Sequence, residues 1–547
     1  MPTLRRSARE PHPNPRFQPE THAAIKELPT TFDEAVARPD GAKWEGAIVK
    51  EIGGYNDRDA LEGCDCPPEG STVLTPKVRF VEKPKPDGET KYKVRITIRG
   101  CGQRPGRDYG ATYSPTVMVQ SIFICLFLAA HFAWITIYID IANAYMEAPP
   151  DRKIYLKLTD ELIKYGLSNH RYVELKTNTY GTKQGGLLWF RFWTADLIEL
   201  EYEQLINDVC VFVKFSPDRS LKVIVFVYVD DFGITGSWTE EIERLCAHMR
   251  SKYRKIKEQK EITYFRGMRL QWDRPNRVVW VDQTAYTDSV VADILKTPHT
   301  DAGTPLASTK DYHEECEPAA DSIQTEVGKL RFLADLTRPD LLHAVNLLSS
   351  HAASPGTIHL KGVTHIARHL QKTREYALKL GGIYPIAHRM YSDAGFNARR
   401  DGRPTLCIAE YLSPDSGAFH VKSRTSTTIC MSVTEAETKA AAEAVKAAIW
   451  TRDFLLELGE EQRKPSQLFV DNSAVLDIVQ SPGNYQNCRT YNRDIAYIRQ
   501  AVTKGVITPD YVPSQLNTAD LGTKLLAEVP HTEHAQNMLC GYQVPEL

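Results

Sequence analysis

Two adjacent carboxylates, Asp230 and Asp231, close the run Val223-Ile224-Val225-Phe226-Val227-Tyr228-Val229. The run is rich in β-branched residues and reads as a buried strand. Phe232-Gly233-Ile234-Thr235-Gly236 follows and can return as the second strand of a hairpin. Like charges this close repel and shift each other's pKa unless a cation stands between them. Hard oxygen ligands of this kind suit Mg²⁺, with phosphates completing its shell. An isolated pair would read as a solvated turn, but a second carboxylate argues otherwise. Trp134-Ile135-Thr136-Ile137-Tyr138-Ile139-Asp140 is another alternating strand ending in an acid. Between the two lies Leu175-Lys176-Thr177-Asn178-Thr179-Tyr180-Gly181-Thr182-Lys183-Gln184-Gly185-Gly186, running into the helix-like Leu187-Leu188-Trp189-Phe190.

DIANAYMEAPPDRKIY, LKTNTYGTKQGGLLW and YVDDFGITG occur in that order, and the chain resembles the reverse transcriptase of copia-type LTR retrotransposons. WEGAIVKEI and YKVRITIRGCGQRPGRDYGATYSPTV before them, and ITYFRGMRL, VGKLRFLADLTRPDLLHAV and SPGTIHLKGVTHIARHLQKT after them, extend the resemblance over roughly residues 40–530. Asp393 in Tyr391-Ser392-Asp393-Ala394-Gly395, Glu437 in a helix-like run, Asp471 after Leu468-Phe469-Val470, and Asp520 resemble the acids of the RNase H domain fused to these polymerases. Of Glu435 and Glu437, only one can face inward; Glu437 is the expected site acid, and Glu435 suits the helix N-terminus. Family members usually carry a Lys-His pair where this chain reads Arg489-Thr490-Tyr491-Asn492-Arg493-Asp494-Ile495.

The resemblance implies an α+β right-hand polymerase of fingers, palm and thumb followed by an α/β RNase H-like domain. It implies RNA-directed DNA polymerisation by two-metal nucleotidyl transfer, with hydrolysis of the RNA strand of the hybrid. Asp140, Asp230 and Asp231 would hold one pair of Mg²⁺ ions, and Asp393, Glu437, Asp471 and Asp520 another, with Mn²⁺ as an alternative. By the resemblance, Asp140 and Asp230 would bear most directly on the metals; strand alternation points Asp230 and Asp231 to different sides, so the two should not contribute equally. Tyr145 would lie under the sugar and exclude a 2′-hydroxyl. Gln184 and Gly185 would stand beside the incoming nucleotide and template. Lys93 and Arg95 would grip the triphosphate.

A chain of 547 residues is too long for one core and suggests three or four domains. Residues 1–40 are Pro-rich and charged without periodicity, and are expected to be a disordered tail. Residues 41–290 read as fingers and palm, 291–385 as a helical thumb and connection ending in the amphipathic stretch His359 to Leu380, and 386–547 as the RNase H-like domain. A net charge of −2 gives no global nucleic-acid signal. Locally, ten Lys/Arg lie between Lys77 and Arg107 against Glu82, Asp87 and Glu89, which fits a phosphate-facing surface. The basic run Arg250 to Lys260 reads equally as a solvated helix face or a template contact. Eleven scattered cysteines show no zinc spacing and suit a reducing compartment. Asp415-Ser416-Gly417 lacks the apolar flanks of an aspartic-protease triplet and reads as a turn.

The expected partners are an RNA template, a DNA primer, the RNA–DNA hybrid and deoxynucleoside triphosphates, with other retroelement proteins in a particle and no membrane. The expected location is a cytoplasmic retroelement particle, with the nucleus as a second possibility. A catalytically dead, nucleic-acid-binding relic is the competing reading, and a telomerase- or group II-type polymerase a third that the fused RNase H pattern opposes.

Overall fold

The computed structural model describes residues 28–84, 90–297, 299–313, 316–396, 401–481 and 490–541. A six-stranded antiparallel sheet forms the palm. Its order is Ile256–Gln259, Ile135–Ile141, Asp231–Gly236, Lys222–Tyr228, Val211–Phe215 and Glu203–Gln204. The two central strands pair as the expected hairpin, Tyr228 opposite Asp231, and Asp231 in turn sits opposite Asp140. Val223 to Val227 are all buried, so the sheet has apolar cover on both faces. The helix Val119–His131 lies on one face and the helix Gly185–Glu199, carrying Trp189 and Trp193, on the other.

The fingers begin earlier than expected. Thr31 caps the helix Phe32–Ala37 through its side chain, and Phe32 is buried edge-on against Phe80 and Tyr165. Residues 28–40 therefore belong to the folded part; residues 1–27 of the expected tail lie outside the described residues. In the helix Gly41–Asn56, Trp44, Ile48 and Ile52 recur at one-turn spacing and are all buried. They cover the hairpin of Pro76–Pro84 with Thr90–Ile98, whose turn lies outside the described residues.

Two elements differ from the sequence reading after the palm. The basic run Arg250 to Lys260 straddles the end of the helix Thr239–Lys252 and the edge strand Ile256–Gln259. The amphipathic stretch from His359 is helical only as Thr357–Lys372; Leu378–Gly381 is a strand. That strand pairs with Val278–Asp282 and completes the sheet Tyr264–Phe265, Met268–Asp273, Val278–Asp282, Leu378–Gly381. A helical period could not reveal this, because the strand is chosen by a partner about a hundred residues away in sequence.

The C-terminal unit has a five-stranded sheet in the order His420–Thr425, Thr405–Tyr411, Arg389–Gly395, Ser466–Val470, Ile507–Tyr511. The first three strands are antiparallel and the last two run parallel to Arg389–Gly395, with the long helix Val433–Glu457 packed across them. This is the arrangement of an RNase H-like fold. The unit is joined to the palm by a shared core in which Phe454, Leu455 and Leu458 meet Phe226 and Val213. Lys222 adds hydrogen bonds to the Leu458 carbonyl and Glu460, both at 2.6 Å. Asp415-Ser416-Gly417 forms a turn, with Asp415 accepting from the Ile383 N–H at 3.1 Å.

The TRPD segment is explained by a buried ion pair. Arg338 donates to both oxygens of Asp340 at 2.9 and 2.7 Å and also to the Thr373 carbonyl and hydroxyl. Both charged side chains are at most 2% exposed. Replacing Arg338 by Met leaves Asp340 buried with only the His369 ring, 3.7 Å away, beside it. The expected cost is about 3–5 kcal/mol, read as a lower urea midpoint. An unchanged midpoint would show that the pair is not structural.

Candidate catalytic sites

The palm acids are placed by backbone register. Asp140 leaves the strand Ile135–Ile141 directly opposite Asp231, and the Ile141 N–H donates to the Asp230 carbonyl at 3.1 Å. The turn between the hairpin strands forces Val229 to φ 61°, a left-handed conformation that is costly for a β-branched residue. The Trp189 indole N–H holds that turn by donating to the Val229 carbonyl at 2.6 Å. Trp189 is itself 1% exposed, so the brace is fixed by the core.

Burial raises the Asp230 carboxyl, Asp140 raises it further, and Lys93 and Arg95 pull the other way. Burial pushes Asp231 up to about 6, against the hydrogen bond it accepts from Tyr138 Oη. Asp231 is thus engaged within the protein, consistent with its turning aside from Asp230. Lys93 and Arg95 share one face of the strand Thr90–Ile98, while Val94, Ile96 and Ile98 are buried on the other. Arg95 lies over the Tyr180 ring at 5.0 Å, and Tyr180 stacks on Tyr145 at 4.8 Å between centroids. Glu51 holds Arg95 at 3.4 Å and accepts from the Ile96 N–H at 2.9 Å. Tyr145 lies close enough to Asp230 for that carboxylate to help raise its phenol, although burial does most of it.

Gln184 and Gly185 are placed differently from the sequence expectation. Gln184 is 1% exposed, and its amide is used by Asp108 O, Asp151 and Gln103 at 3.0–3.1 Å. It ties three loops together and does not present its amide to a ligand. A Cβ on Gly185 would strike Thr182 Oγ1 at 2.7 Å, so that glycine serves its own loop. Gly186 is the one whose missing Cβ faces Ser114 and the Tyr145 hydroxyl. Gly181, at φ 97°, passes so close to Ile98 that a Cβ would lie 2.1 Å from its carbonyl oxygen. There the fingers strand docks, Ile98 N–H donating to Tyr180 O at 2.8 Å.

The second set is tighter. Asp393 lies within the strand Arg389–Gly395, Glu437 stands in the first turns of Val433–Glu457, and Asp471 follows Ser466–Val470. One oxygen from each lies within 4.8 Å of the others. Among the described residues this is the only such group of three metal-ligating side chains; Asp140, Asp230 and Asp231 do not close to that distance. Burial, then Asp393 and Asp471, push Glu437 up to about 9, and its Oε2 is buried without a partner. An orphaned carboxylate oxygen facing two further acids fits a divalent cation. Glu435 instead accepts from the Met431 N–H at 3.0 Å, receives Lys439 at 2.9 Å and stands in a Ser432-capped first turn.

Asp520 lies beside Asp393 but outside the three-acid group, and Lys524 reaches both. Its Nζ is 2.8 Å from Asp520 and 3.2 Å from Asp393. Burial raises Asp520 to about 7, helped by Asp393 and opposed by Lys524. Burial works against the Lys524 ammonium, and the two carboxylates outweigh it. Asn517 fixes the Thr518–Gly522 segment by donating to the Ser392 carbonyl at 3.0 Å. Of the segment with the unusual Lys-His departure, Arg489 lies outside the described residues, and Asn492 opens the helix Asn492–Thr503.

Residues 66–308 match the family described as reverse transcriptase (RNA-dependent DNA polymerase). The Pol polyprotein of transposon TNT 1-94 from Nicotiana tabacum is 28% identical over 540 residues, covering 96% of this chain and 40% of that protein. The Pol polyprotein of transposon RE1 from Arabidopsis thaliana is 26% identical over 533 residues, covering 96% of this chain and 35% of its own length. The chain is similar along most of its length to the copia-type retrotransposon Pol proteins. It spans about two fifths of the length of these curated relatives. Among solved structures, a foamy viral protease-reverse transcriptase in complex with double-stranded DNA aligns over 85% of this chain and 69% of its own, at 13% identity and TM-score 0.45. RNase H1 from Halobacterium salinarum aligns over 25% of this chain and 94% of its own, at 18% identity and TM-score 0.20.

Glu51, Trp189, Gly186, Asn517 and Lys524 were not assigned from sequence. The role of each depends on a partner distant in the chain. The raised Glu437 gives a pH prediction for metal-free protein. Its carboxyl titrates near 9 when folded against an ordinary 4.5, so the folded state binds the extra proton between those values. Stability from this group therefore falls as pH rises through that window. In EDTA, thermal melting between about pH 5 and about pH 9 should decline less steeply for Glu437→Gln than for the parent. Parallel declines would show that Glu437 is not crowded by the other acids.

A second prediction concerns the turn. Trp189→Phe keeps an aromatic ring but removes the N–H that holds the Val229 carbonyl. A hydrogen bond of this kind is worth about 1 kcal/mol in stability, and the polymerisation rate should fall while the C-terminal unit's activity does not. Equal loss of both activities would mean the change acts through folding.

Proposed function

We propose that the chain copies RNA into DNA and hydrolyses the RNA strand of the resulting hybrid. The supporting observation is the pairing of two separate carboxylate sets, one at the palm hairpin and one gathered from strands and helix of the C-terminal unit, with the match of residues 66–308 to the reverse transcriptase family. Asp140 and Asp230, with Asp231 behind them, would hold two Mg²⁺ ions in the palm; Asp393, Glu437, Asp471 and Asp520 would hold two in the C-terminal unit. Bound there, divalent cations supply charge stabilisation for phosphoryl transfer, and Mn²⁺ would substitute.

The chain's own groups do the rest. Lys93 and Arg95 offer cationic ends on one strand face near Asp230, suited to the triphosphate of a deoxynucleotide. The stacked Tyr145 and Tyr180 make a rigid floor there, and Tyr145 is the group whose bulk would exclude a 2′-hydroxyl. In the second site Asp393 and Asp471 are positioned by Thr523, Lys524 and Ser514, while Glu437 stays free to take a ligand. The template, primer and hybrid would be held by backbone shape and charge. We place this work in a cytoplasmic retroelement particle with the element's other proteins.

The test uses one preparation and one hybrid. Asp230→Asn should lower primer extension on poly(rA)/oligo(dT) with Mg²⁺ by at least about 100-fold and leave RNA cutting intact; Asp393→Asn should do the reverse. Extension at the parent rate by Asp230→Asn would sink the palm assignment. A parent chain with neither activity would favour the relic. Tyr145→Ala should admit ribonucleotides, and unchanged discrimination would place the gate elsewhere.

A further inference from the structure

The acids of the C-terminal unit border a cavity of about 220 Å³ that two parts of the chain build together. Gly395, Thr523 and Lys524 line one side; Lys310 and His343, from the helical region before the RNase H-like unit, line the other. Thr523 Oγ1 donates to Asp393, and Lys524 reaches the same carboxylate at 3.2 Å. The cavity thus opens beside the acid set. At roughly 30 Å³ per water, it has room for one phosphodiester group.

Two observations indicate what it takes. The first is charge. Lys524 keeps 40% of its side chain exposed while paired to Asp393 and Asp520, and Lys310 is exposed. The carboxylate on the wall, Asp311, accepts from the His313 backbone N–H at 2.8 Å. The second is an unmet polar atom. His343 is 8% exposed, and its Nδ1 is buried with no partner. The other ring nitrogen of His343 is engaged by the Gly522 carbonyl and burial pulls the ring's pKa down, so Nδ1 is an acceptor; left unpaired it costs about 1–3 kcal/mol, which a ligand hydroxyl would recover.

We propose that this cavity seats one backbone phosphate of the nucleic-acid strand being cut, with Lys524 and Lys310 as its cations and His343 accepting a hydrogen bond from the adjoining sugar hydroxyl. The proposal rests on the hydrolytic reading above. It makes the helical region a contributor to the second site. Lys524 serves as counter-ion to Asp393 and Asp520 only while no other cation neutralises them, and its amine is then available to phosphate.

Lys310→Gln tests this in the full chain, since the side chain is exposed and lies outside both acid sets. Loss of one charge-assisted contact should raise KM for hybrid cutting about ten-fold with kcat nearly unchanged. The log–log salt slope of hybrid binding should flatten by about 0.9. The maximal rate of primer extension should not move. Hybrids carrying single neutral methylphosphonates should locate the seat: at one position near the cut, parent and variant bind alike. A parent that never cuts the hybrid overturns the hydrolytic reading. A parent that cuts, with a variant of equal KM and salt slope, overturns the phosphate seat alone. An equal loss of extension and cutting also overturns it, as a general charge effect.

Discussion

Asp140, Asp230 and Asp231 are held together by strands that bury apolar side chains on both faces of the palm sheet. Val223 to Val227, Ile139, Phe232 and Ile234 are essentially inaccessible. Each such side chain contributes about 1.5–3 kcal/mol on burial, and together they offset the repulsion gathered at the strand ends. The same constraint sets the chemistry. Carboxylates raised by burial and by one another are poorly neutralised by the protein, so a cation or a phosphate-bound cation has most to gain there.

The two acid sets meet the cost of crowding in different ways. The palm spreads its charge: Asp231 takes a hydroxyl donor from Tyr138, and Lys93 and Arg95 act on Asp230 from the fingers. The C-terminal unit concentrates its charge and brings in Lys524, an internal cation reaching two of the four acids. Burial, Asp393 and Asp471 outweigh the pull of Lys524 and the Ala394 N–H on Glu437, which rises further than Asp520. An open, weakly compensated palm suits a site that must admit a bulky triphosphate. A close-set trio with its own lysine suits a site through which a strand passes.

Much of this was legible in the chain, for stated reasons. The β-branched run before Asp230 and the alternation before Asp140 are local patterns, and local patterns specify palm strands well. Glu437 could be chosen over Glu435 because helix periodicity allows only one to face the sheet. The rest depended on distant partners. Nothing local says that Leu378–Gly381 is a strand, that Gln184 is consumed by Gln103, Asp108 and Asp151, or that Lys524 reaches both Asp393 and Asp520. A glutamine in a motif and a glutamine in a brace look alike until their neighbours are known.

The shared core between palm and C-terminal unit bears on how the two sites relate. Phe454, Leu455 and Leu458 are fully buried against palm residues, and Lys222 ties the end of the same helix by two short hydrogen bonds. Glu457 accepts from the Ile206 and Asn207 N–H groups at 3.1 and 3.3 Å. On the other flank Asn346 donates to Ser423 from the helical region. A unit anchored on both flanks by buried groups cannot swing as a linked domain does, because each anchor would lose its partner on separation. The spacing between the acid sets is therefore a property of the fold. Under the proposed function, a hybrid engaging the palm would meet the second set at a fixed distance along the duplex, and cutting would be set by the length synthesised and less by sequence.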